Sequence, residues 1–296
     1  MIGEIIEISR PRQWYKNIVV FAALFFSKNL TNTEAILAAI LAFVALCTLS
    51  SSAYVFNDIV DSKTDKNHDK KRNRPLPSGR LSTQVAGVWG IILLGIGLWV
   101  STLIGTKFLL ATIGFVVLTN AYNFLIKNIA FADVSSLSTN FMIRAVAGAY
   151  AIEVAPSPWL ILGTYLVALF LAVAKRKTDL DILGQKAKEY KKVFEIYTTK
   201  VLEQFLGIVA GLLFMTYCLY SFLSSQAHSI VIMMTIPIVS FLIFRYYNFA
   251  ITNNEISRSA EKIFGDLQMV SAIIIWGTLF LIGIYFNEIR MLIAIG

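Results

Sequence analysis

Four aspartates, Asp58, Asp61, Asp65 and Asp69, follow directly on a long apolar run and are preceded by Asn57. If a helix carries that run past its end, 100° per residue places the four carboxylates within about 80° of one another. Like charges at these spacings repel, and the C-terminal end of the helix dipole disfavours them further. A sequence tolerates such a stripe when a cation sits on it. Hard oxygen ligands with incomplete coordination suit Mg2+, which keeps waters and takes further ligands from a substrate phosphate. Asp58, Asp61 and Asp65 are therefore the expected metal ligands and Mg2+ the expected cofactor. The bland alternative is a solvated acidic face balanced by Lys66, Lys70 and Lys71.

Cations accompany the acids. Arg72 and Arg74 come next, followed by the rigid turn Pro75-Leu76-Pro77-Ser78-Gly79 and Arg80. Arginine grips phosphate oxygens in a bidentate fork, although a basic patch beside a membrane also attracts anionic lipid. Upstream, Arg10-Pro11-Arg12-Gln13-Trp14-Tyr15-Lys16-Asn17 opens the first apolar run. Arg12 and Lys16 lie one turn apart; snorkelling explains them equally, but an Asn17 amide facing lipid would go unsatisfied. A fifth run holds Asp133, Asn140 and Arg144 within about 40° on a helical wheel. An arginine at that depth costs about 2.5–3.5 kcal/mol on insertion scales, so it faces a polar cavity or pairs with an acid on a neighbouring helix. A sixth run ends in Lys175-Arg176-Lys177-Thr178-Asp179-Leu180-Asp181, with Lys191, Lys192 and Tyr197 beyond. This is a second acidic cluster with more bases than acids, and positive-inside flanking is its plain alternative. The tripeptide Lys-Thr-Asp occurs at 63–65 and again at 177–179, a weak hint of internal repetition. His68 and His228 have no partner pattern for nucleophilic catalysis, and Cys47 and Cys218 sit inside apolar runs as packed thiols.

These residues need elements to hold them. The chain has 296 residues, 57% hydrophobic and 15% charged, against about 25% charged in a soluble domain. Its apolar runs are continuous, and only helices or closed barrels satisfy the backbone in lipid, so the expected class is all-α. The runs predict nine spans, roughly at 17–29, 35–56, 84–104, 108–126, 132–152, 159–176, 202–223, 229–248 and 268–287, in one domain covering 1–296. With this count the loops rich in Lys and Arg fall on one side, and only Lys28, Lys107 and Arg290 fall on the other. That asymmetry predicts a multi-pass plasma-membrane protein with its N-terminus and charged loops in the cytoplasm. It also accounts for the net charge of +8 without nucleic acid. The opening residues carry two acids and no small-residue cleavage site follows the first run, so the N-terminus reads as mature. Transporters place polar groups at the midplane beside broken helices. Here the carboxylates gather at one interface, and only Pro237 interrupts a predicted span.

The pattern Asn57-Asp58-x-x-Asp61-x-x-x-Asp65, with the turn Arg74-Pro75-Leu76-Pro77-Ser78-Gly79, resembles the UbiA superfamily of intramembrane transferases over nearly the whole chain. Arg10 to Asn17, Ala121-Tyr122 with Lys127 and Asp133, Arg144 to Gly148, and Lys175-Arg176 with Asp179 look like the decaprenyl-phosphate phosphoribosyltransferase branch. That branch usually has glutamate where Asp179 stands, and this chain lacks the fuller aspartate pattern of members acting on aromatic rings. The resemblance implies a helical bundle with a cytoplasm-facing central cavity. It implies Mg2+-dependent transfer of 5-phosphoribose from phosphoribosyl pyrophosphate to a polyprenyl phosphate, or, in the alternative, of a prenyl group to an aromatic acceptor. Asp58, Asp61, Asp65 and Asp179 would be catalytic, while Lys16, Asn17, Asn57, Arg72, Arg74, Tyr122, Lys127, Asp133, Arg144, Lys175 and Arg176 would hold the substrates. The expected partners are a phosphorylated donor and a lipid phosphate. A donor with a diphosphate and a separate 5-phosphate, plus a lipid phosphate, also suits so generous a cationic set.

Overall fold

The structure is a computed structural model that describes residues 1–66, 71–224 and 229–286. His68, Asp69, Lys70, His228 and Arg290 lie outside the described residues. Among those described, all regular structure is helical. Seven helices are long and apolar enough to cross a membrane: Thr33–Lys63, Thr83–Ile104, Thr106–Phe124, Pro158–Tyr190, Thr199–Leu223, Ile230–Ile251 and Leu267–Ile284.

The other two of the nine expected runs fall short for different reasons. Residues 17–29 are split between a 3-10 helix, Pro11–Phe21, and a short α-helix, Ala22–Phe26. Proline opens the 3-10 segment, and Lys28 closes the run in the left-handed region at φ 62°. Ala132–Ala151 is one continuous helix, but Asp133, Asn140, Arg144 and its Ser and Thr residues leave it too polar to count by composition. Both exceptions carry the polar side chains singled out above. The expected continuation past the second span is present, since the helix Thr33–Asp65 runs through Asp58 and Asp61 to Asp65.

The chain falls into two compact units. The first comprises Met1–Leu125 and Asn140–Leu160, the second Ile126–Thr139 and the described part of Ile161–Gly296. In the first, the helix Thr33–Asp65 lines its packed faces with small residues: Ala39, Ala42, Ala45, Ser50, Ser51, Ser52 and Ala53 are all buried. Small side chains let helices approach closely where lipid supplies no hydrophobic drive between them. Ser52 Oγ donates to the Gly90 carbonyl at 2.8 Å, so the serine turn at 50–52 is tied to Thr83–Ile104. Ile91, Trp99, Leu103, Leu110 and Val117 are exposed on the outer faces, as a lipid-facing surface requires.

Gly148 shows how tightly the first unit is built. A Cβ there would land on the Val20 carbonyl oxygen and lie 2.8 Å from the carbonyl carbon. Backbone cannot move aside as a flexible side chain can, so only glycine fits where Ala132–Ala151 meets Pro11–Phe21. The second unit has its own core of Val134, Leu169, Phe170, Val173, Phe194, Leu202, Leu206, Tyr246 and Phe249. Two of its helices begin on side-chain caps: Thr198 accepts from the Val201 N–H at 3.2 Å, and Asp266 from the Met269 N–H at 2.8 Å.

Replacing Gly148 with alanine overpacks this contact at a cost of about 1–3 kcal/mol or more. Gly114→Ala, where nothing lies within 4 Å, is the matched control. Thermal unfolding of the two variants in detergent should show a clear drop for Gly148→Ala and little change for Gly114→Ala.

Candidate active site

The first unit assembles its candidates around the end of one helix. Asp58 and Asp65 are seven residues apart, which on an α-helix is nearly two full turns and the same face. Each is only 3% exposed. The Arg74 Nη1 atom reaches both, donating to Asp58 Oδ1 at 3.2 Å and to Asp65 Oδ2 at 2.7 Å. Two buried carboxylates thus converge on a single cationic nitrogen. Arg10 pairs with the same Asp58 oxygen and lies over the Tyr54 ring, 5.2 Å from its centroid.

Local sequence explains how those two arginines arrive. In the turn after Arg74, the Ser78 N–H donates to the Arg74 carbonyl at 3.0 Å, and the Leu81 N–H to the Pro75 carbonyl at 3.0 Å. Gly79 supplies the left-handed conformation the turn needs, at φ 76°. Leu76 and Leu81 are buried with Ile8, Val55, Ala86 and Leu93, so apolar packing anchors the loop. Arg80 grips Glu7 through both terminal nitrogens, at 2.9 and 3.0 Å. That bond ties the loop to the helix Ile2–Ser9. Ser51 Oγ donates to the Ser9 carbonyl at 2.8 Å, and Trp89 Nε1 to Ser9 Oγ at 2.9 Å. Arg10 follows at once, in the left-handed region at φ 50°. A non-glycine residue held there signals surrounding structure that over-determines its position.

The remaining first-unit candidates take varied places. Asp61 and Asn57 are half-buried beside Asp58, while Arg72 is exposed. Tyr122 and Lys16 are half-buried, and Lys16 extends over the Tyr15 ring. Asn17 is buried, but its amide is spent on the neighbouring helix: Nδ2 donates to Cys47 Sγ at 3.3 Å, and Oδ1 accepts from Ser50 Oγ at 3.3 Å. Arg144 is 7% exposed, with its guanidinium 4.6 Å from the Phe115 ring centroid and 5.0 Å from that of Phe141. No salt-bridging acid is found for it among the described residues. Its Nε and the Oδ1 of Asn140 are buried polar atoms with no hydrogen-bond partner, a costly state that suits a polar ligand group.

The second unit builds a separate cluster at the end of Pro158–Leu183. Asp133 is fully buried. Arg176 Nε donates to its Oδ2 at 2.8 Å, and Tyr197 Oη to its Oδ1 at 2.6 Å. The Phe131 N–H donates in turn to Tyr197 Oη at 2.6 Å. Burial, and then the Asp133 carboxylate, raise the Tyr197 hydroxyl well above the usual tyrosine range, so it remains a neutral donor. Asp179, 5% exposed, accepts from Arg258 Nε at 2.8 Å. Its neighbours in the Lys-Thr-Asp tripeptide are structural. Lys177 Nζ donates to the Ala250 and Ile251 carbonyls at 3.1 and 2.9 Å, capping the C-terminal end of Ile236–Ile251, and Thr178 bonds Ser257 at 2.8 Å. Lys175 is exposed and Lys127 half-buried.

Sequence spacing therefore found the acids but not all their partners. Arg10, Arg258 and Tyr197 carry ion pairs or hydrogen bonds to Asp58, Asp179 and Asp133; sequence singles out the segments of Arg10 and Tyr197 but cannot assign these pairings, because the partners lie far along the chain. No cluster of three or more His, Cys, Asp or Glu side chains is placed to hold a metal among the described residues. The oxygen-only donor set of Asp58 and Asp65 nevertheless fits a hard cation, since it already brings two carboxylates onto one positively charged atom.

Residues 17–286 match the UbiA prenyltransferase family. The chain is 29% identical over 238 residues to the decaprenyl-phosphate phosphoribosyltransferase of Mycolicibacterium smegmatis, covering 78% of this chain and 74% of that protein. It is 31% identical over 225 residues to the enzyme of the same name from Corynebacterium glutamicum, covering 75% and 68%. Its fold is similar to that of a UbiA homolog from Archaeoglobus fulgidus bound to GPP and Mg2+. That match has a TM-score of 0.72 and 16% identity, over 92% of this chain and 99% of that one.

Tyr197→Phe leaves the Phe131 N–H and Asp133 Oδ1 short of a partner inside the protein, at about 1–3 kcal/mol. Thermal unfolding should register the loss as a lowered midpoint.

Proposed function

The chain belongs to the UbiA prenyltransferase family, and from that premise we propose that it transfers 5-phosphoribose from phosphoribosyl pyrophosphate to a polyprenyl phosphate. The observation that carries the reading is the convergence of Asp58 and Asp65 on Arg74 Nη1. It supports a site built to hold a cation against the donor's diphosphate. The choice of donor is supported by relatives at 29–31% identity that are named decaprenyl-phosphate phosphoribosyltransferases. The Mg2+ bound to the family's fold in the archaeal homolog supports the metal.

The mechanism follows from what these residues can do. Asp58 and Asp65, with Asp61 between them on the helix, would hold Mg2+. Bound there, the ion would neutralise the diphosphate and stabilise it as a leaving group. Arg74 on both carboxylates and Arg10 on Asp58 would add positive charge where negative charge grows as the diphosphate departs. An oxygen of the lipid phosphate forms the new bond to C1 of the ribose as the bond from C1 to the diphosphate breaks. An ionised phosphate needs no general base, so positioning is the main task left to the protein. Arg144, buried with no salt-bridging acid among the described residues, and the orphaned Asn140 carbonyl suit a phosphate group and its hydroxyl partners. Asp179, in the second unit, is a carboxylate able to accept hydrogen bonds from hydroxyl groups. The reading places the chain in the plasma membrane with nine spans, counting the two polar runs, and with the acidic helix end on the cytoplasmic side.

A prenyl transfer to an aromatic acceptor would use the same metal site. Membranes containing the protein should therefore be given labelled phosphoribosyl pyrophosphate or labelled prenyl diphosphate. Label should enter lipid only from the first, with Mg2+ present, and chelation should stop it. Asp58→Ala should abolish the transfer while the protein still elutes as a folded species. Turnover retained by that variant at saturating Mg2+ would contradict the assignment.

A further inference from the structure

Lys191 lies between two short helical turns, Ala187–Tyr190 and Lys192–Glu195, and its backbone is extended at φ −153° and ψ 133°. Its backbone N–H is tied to the Ala187 carbonyl at 3.0 Å. The next two side chains inward, Val193 and Phe194, are buried in the core of the second unit, and the turn they form lies against Ile126–Asn128, which carries Lys127. The segment is thus fixed at both ends, and Lys191 is half-buried. Its ammonium stands within electrostatic reach of Arg176, Lys175, Asp133 and Asp179.

The charges in this group do not balance. Asp133 is taken by Arg176 and Tyr197, and Asp179 by Arg258. Lys175 and Lys191 have no ion-pair partner among the described residues. Two carboxylates therefore face four cations, an excess of two positive charges when Lys191 is protonated. Burial, and then the neighbouring Arg176, push the Lys191 ammonium down to about 7. A lysine in that condition lacks a counter-ion, and a bound anion would restore its proton. Bound chloride or a carboxylate would supply one charge. A phosphate monoester near neutral pH supplies close to two, with three acceptor oxygens for the donors of Arg176, Lys175 and Lys191.

We propose that Lys191, with Arg176 and Lys175, forms a subsite for a phosphate monoester dianion within the second unit. The proposal deepens the phosphoribosyl reading and rests on it, because that reaction brings two such groups, the donor's 5-phosphate and the phosphate of the lipid acceptor. A prenyl diphosphate and an aromatic acceptor bring neither. Lys191 is then a binding residue for a substrate's phosphate monoester.

The test is direct binding to the full chain in detergent, by calorimetry, of ribose 5-phosphate, geranyl phosphate and Mg2+-pyrophosphate. Wild type and the variants Lys191→Gln and Lys191→Arg are compared. A loss of at least tenfold in affinity for one monoester in Lys191→Gln is expected, with recovery to within about threefold in Lys191→Arg. Pyrophosphate affinity should change less than twofold, which also reports that the variant is folded. Loss confined to ribose 5-phosphate assigns the subsite to the donor, and loss confined to geranyl phosphate assigns it to the lipid. Absence of monoester binding to wild type, equal affinities in wild type and Lys191→Gln, or an equal loss for pyrophosphate would overturn the proposal. Monoester binding that depends on Lys191, in a protein that transfers label only from prenyl diphosphate, would leave the subsite standing and remove the phosphoribosyl reading.

Discussion

Two aspartates on one face of a helix, each nearly buried, repel each other when charged and have lost most of their hydration. Such a pair persists only if positive charge is brought to it. Much of the first unit can be understood as a means of bringing it. Arg74 reaches Asp58 and Asp65 together because Leu76 and Leu81 anchor its loop in an apolar cluster. Arg10 reaches Asp58 because the helix before it is bonded through Ser9 to Ser51 and Trp89. Gly148 contributes at one remove, by letting the Ala132–Ala151 helix meet the segment that follows Arg10. An arrangement that gathers cations around converging carboxylates is also one that can exchange part of that positive charge for a divalent ion and its anionic ligand.

The second unit solves a related problem with different parts. Asp179 stands near the end of a long helix and is met by Arg258, which arrives 79 residues later. Asp65 is met by Arg74 after only nine. Each aspartate closes a Lys-Thr-Asp tripeptide, yet Lys63 is exposed whereas Lys177 is buried and caps another helix. Identical triplets thus carry the same acid in similar surroundings while their lysines do unrelated work. Asp133 adds a third buried carboxylate, held by Arg176 and a neutral tyrosine. Lys175 and Lys191 stand near it with no ion-pair partner among the described residues, and the proposed phosphate subsite draws on them.

The architecture was legible wherever composition alone decides structure. Long apolar runs became long helices, and the acidic stripe was recognised because helical periodicity extends it from a membrane run to Asp65. Legibility ended where tertiary contacts take over. The Pro11–Phe21 segment is 3-10 helix, a geometry that no hydrophobic period announces. Asn17 stands out in the sequence because an amide facing lipid is costly, but its partners Cys47 and Ser50 lie 30 and 33 residues away, beyond the reach of spacing. Asp133 and Arg144 share a helix face, yet Asp133 pairs with Arg176 while Arg144 rests on two aromatic rings. The roles of Arg10, Arg258 and Tyr197 depend on partners 48, 79 and 64 residues away, a distance at which spacing carries no information.

Everything functional rests on the affinity of the Asp58 and Asp65 pair for a divalent ion carrying diphosphate. Electron paramagnetic resonance of Mn2+ titrated into the purified protein with inorganic pyrophosphate measures that affinity without turnover. One tightly bound Mn2+ per chain is expected in wild type, with affinity falling by more than tenfold in both Asp58→Asn and Asp65→Asn. Undiminished Mn2+ binding in both variants would contradict the account.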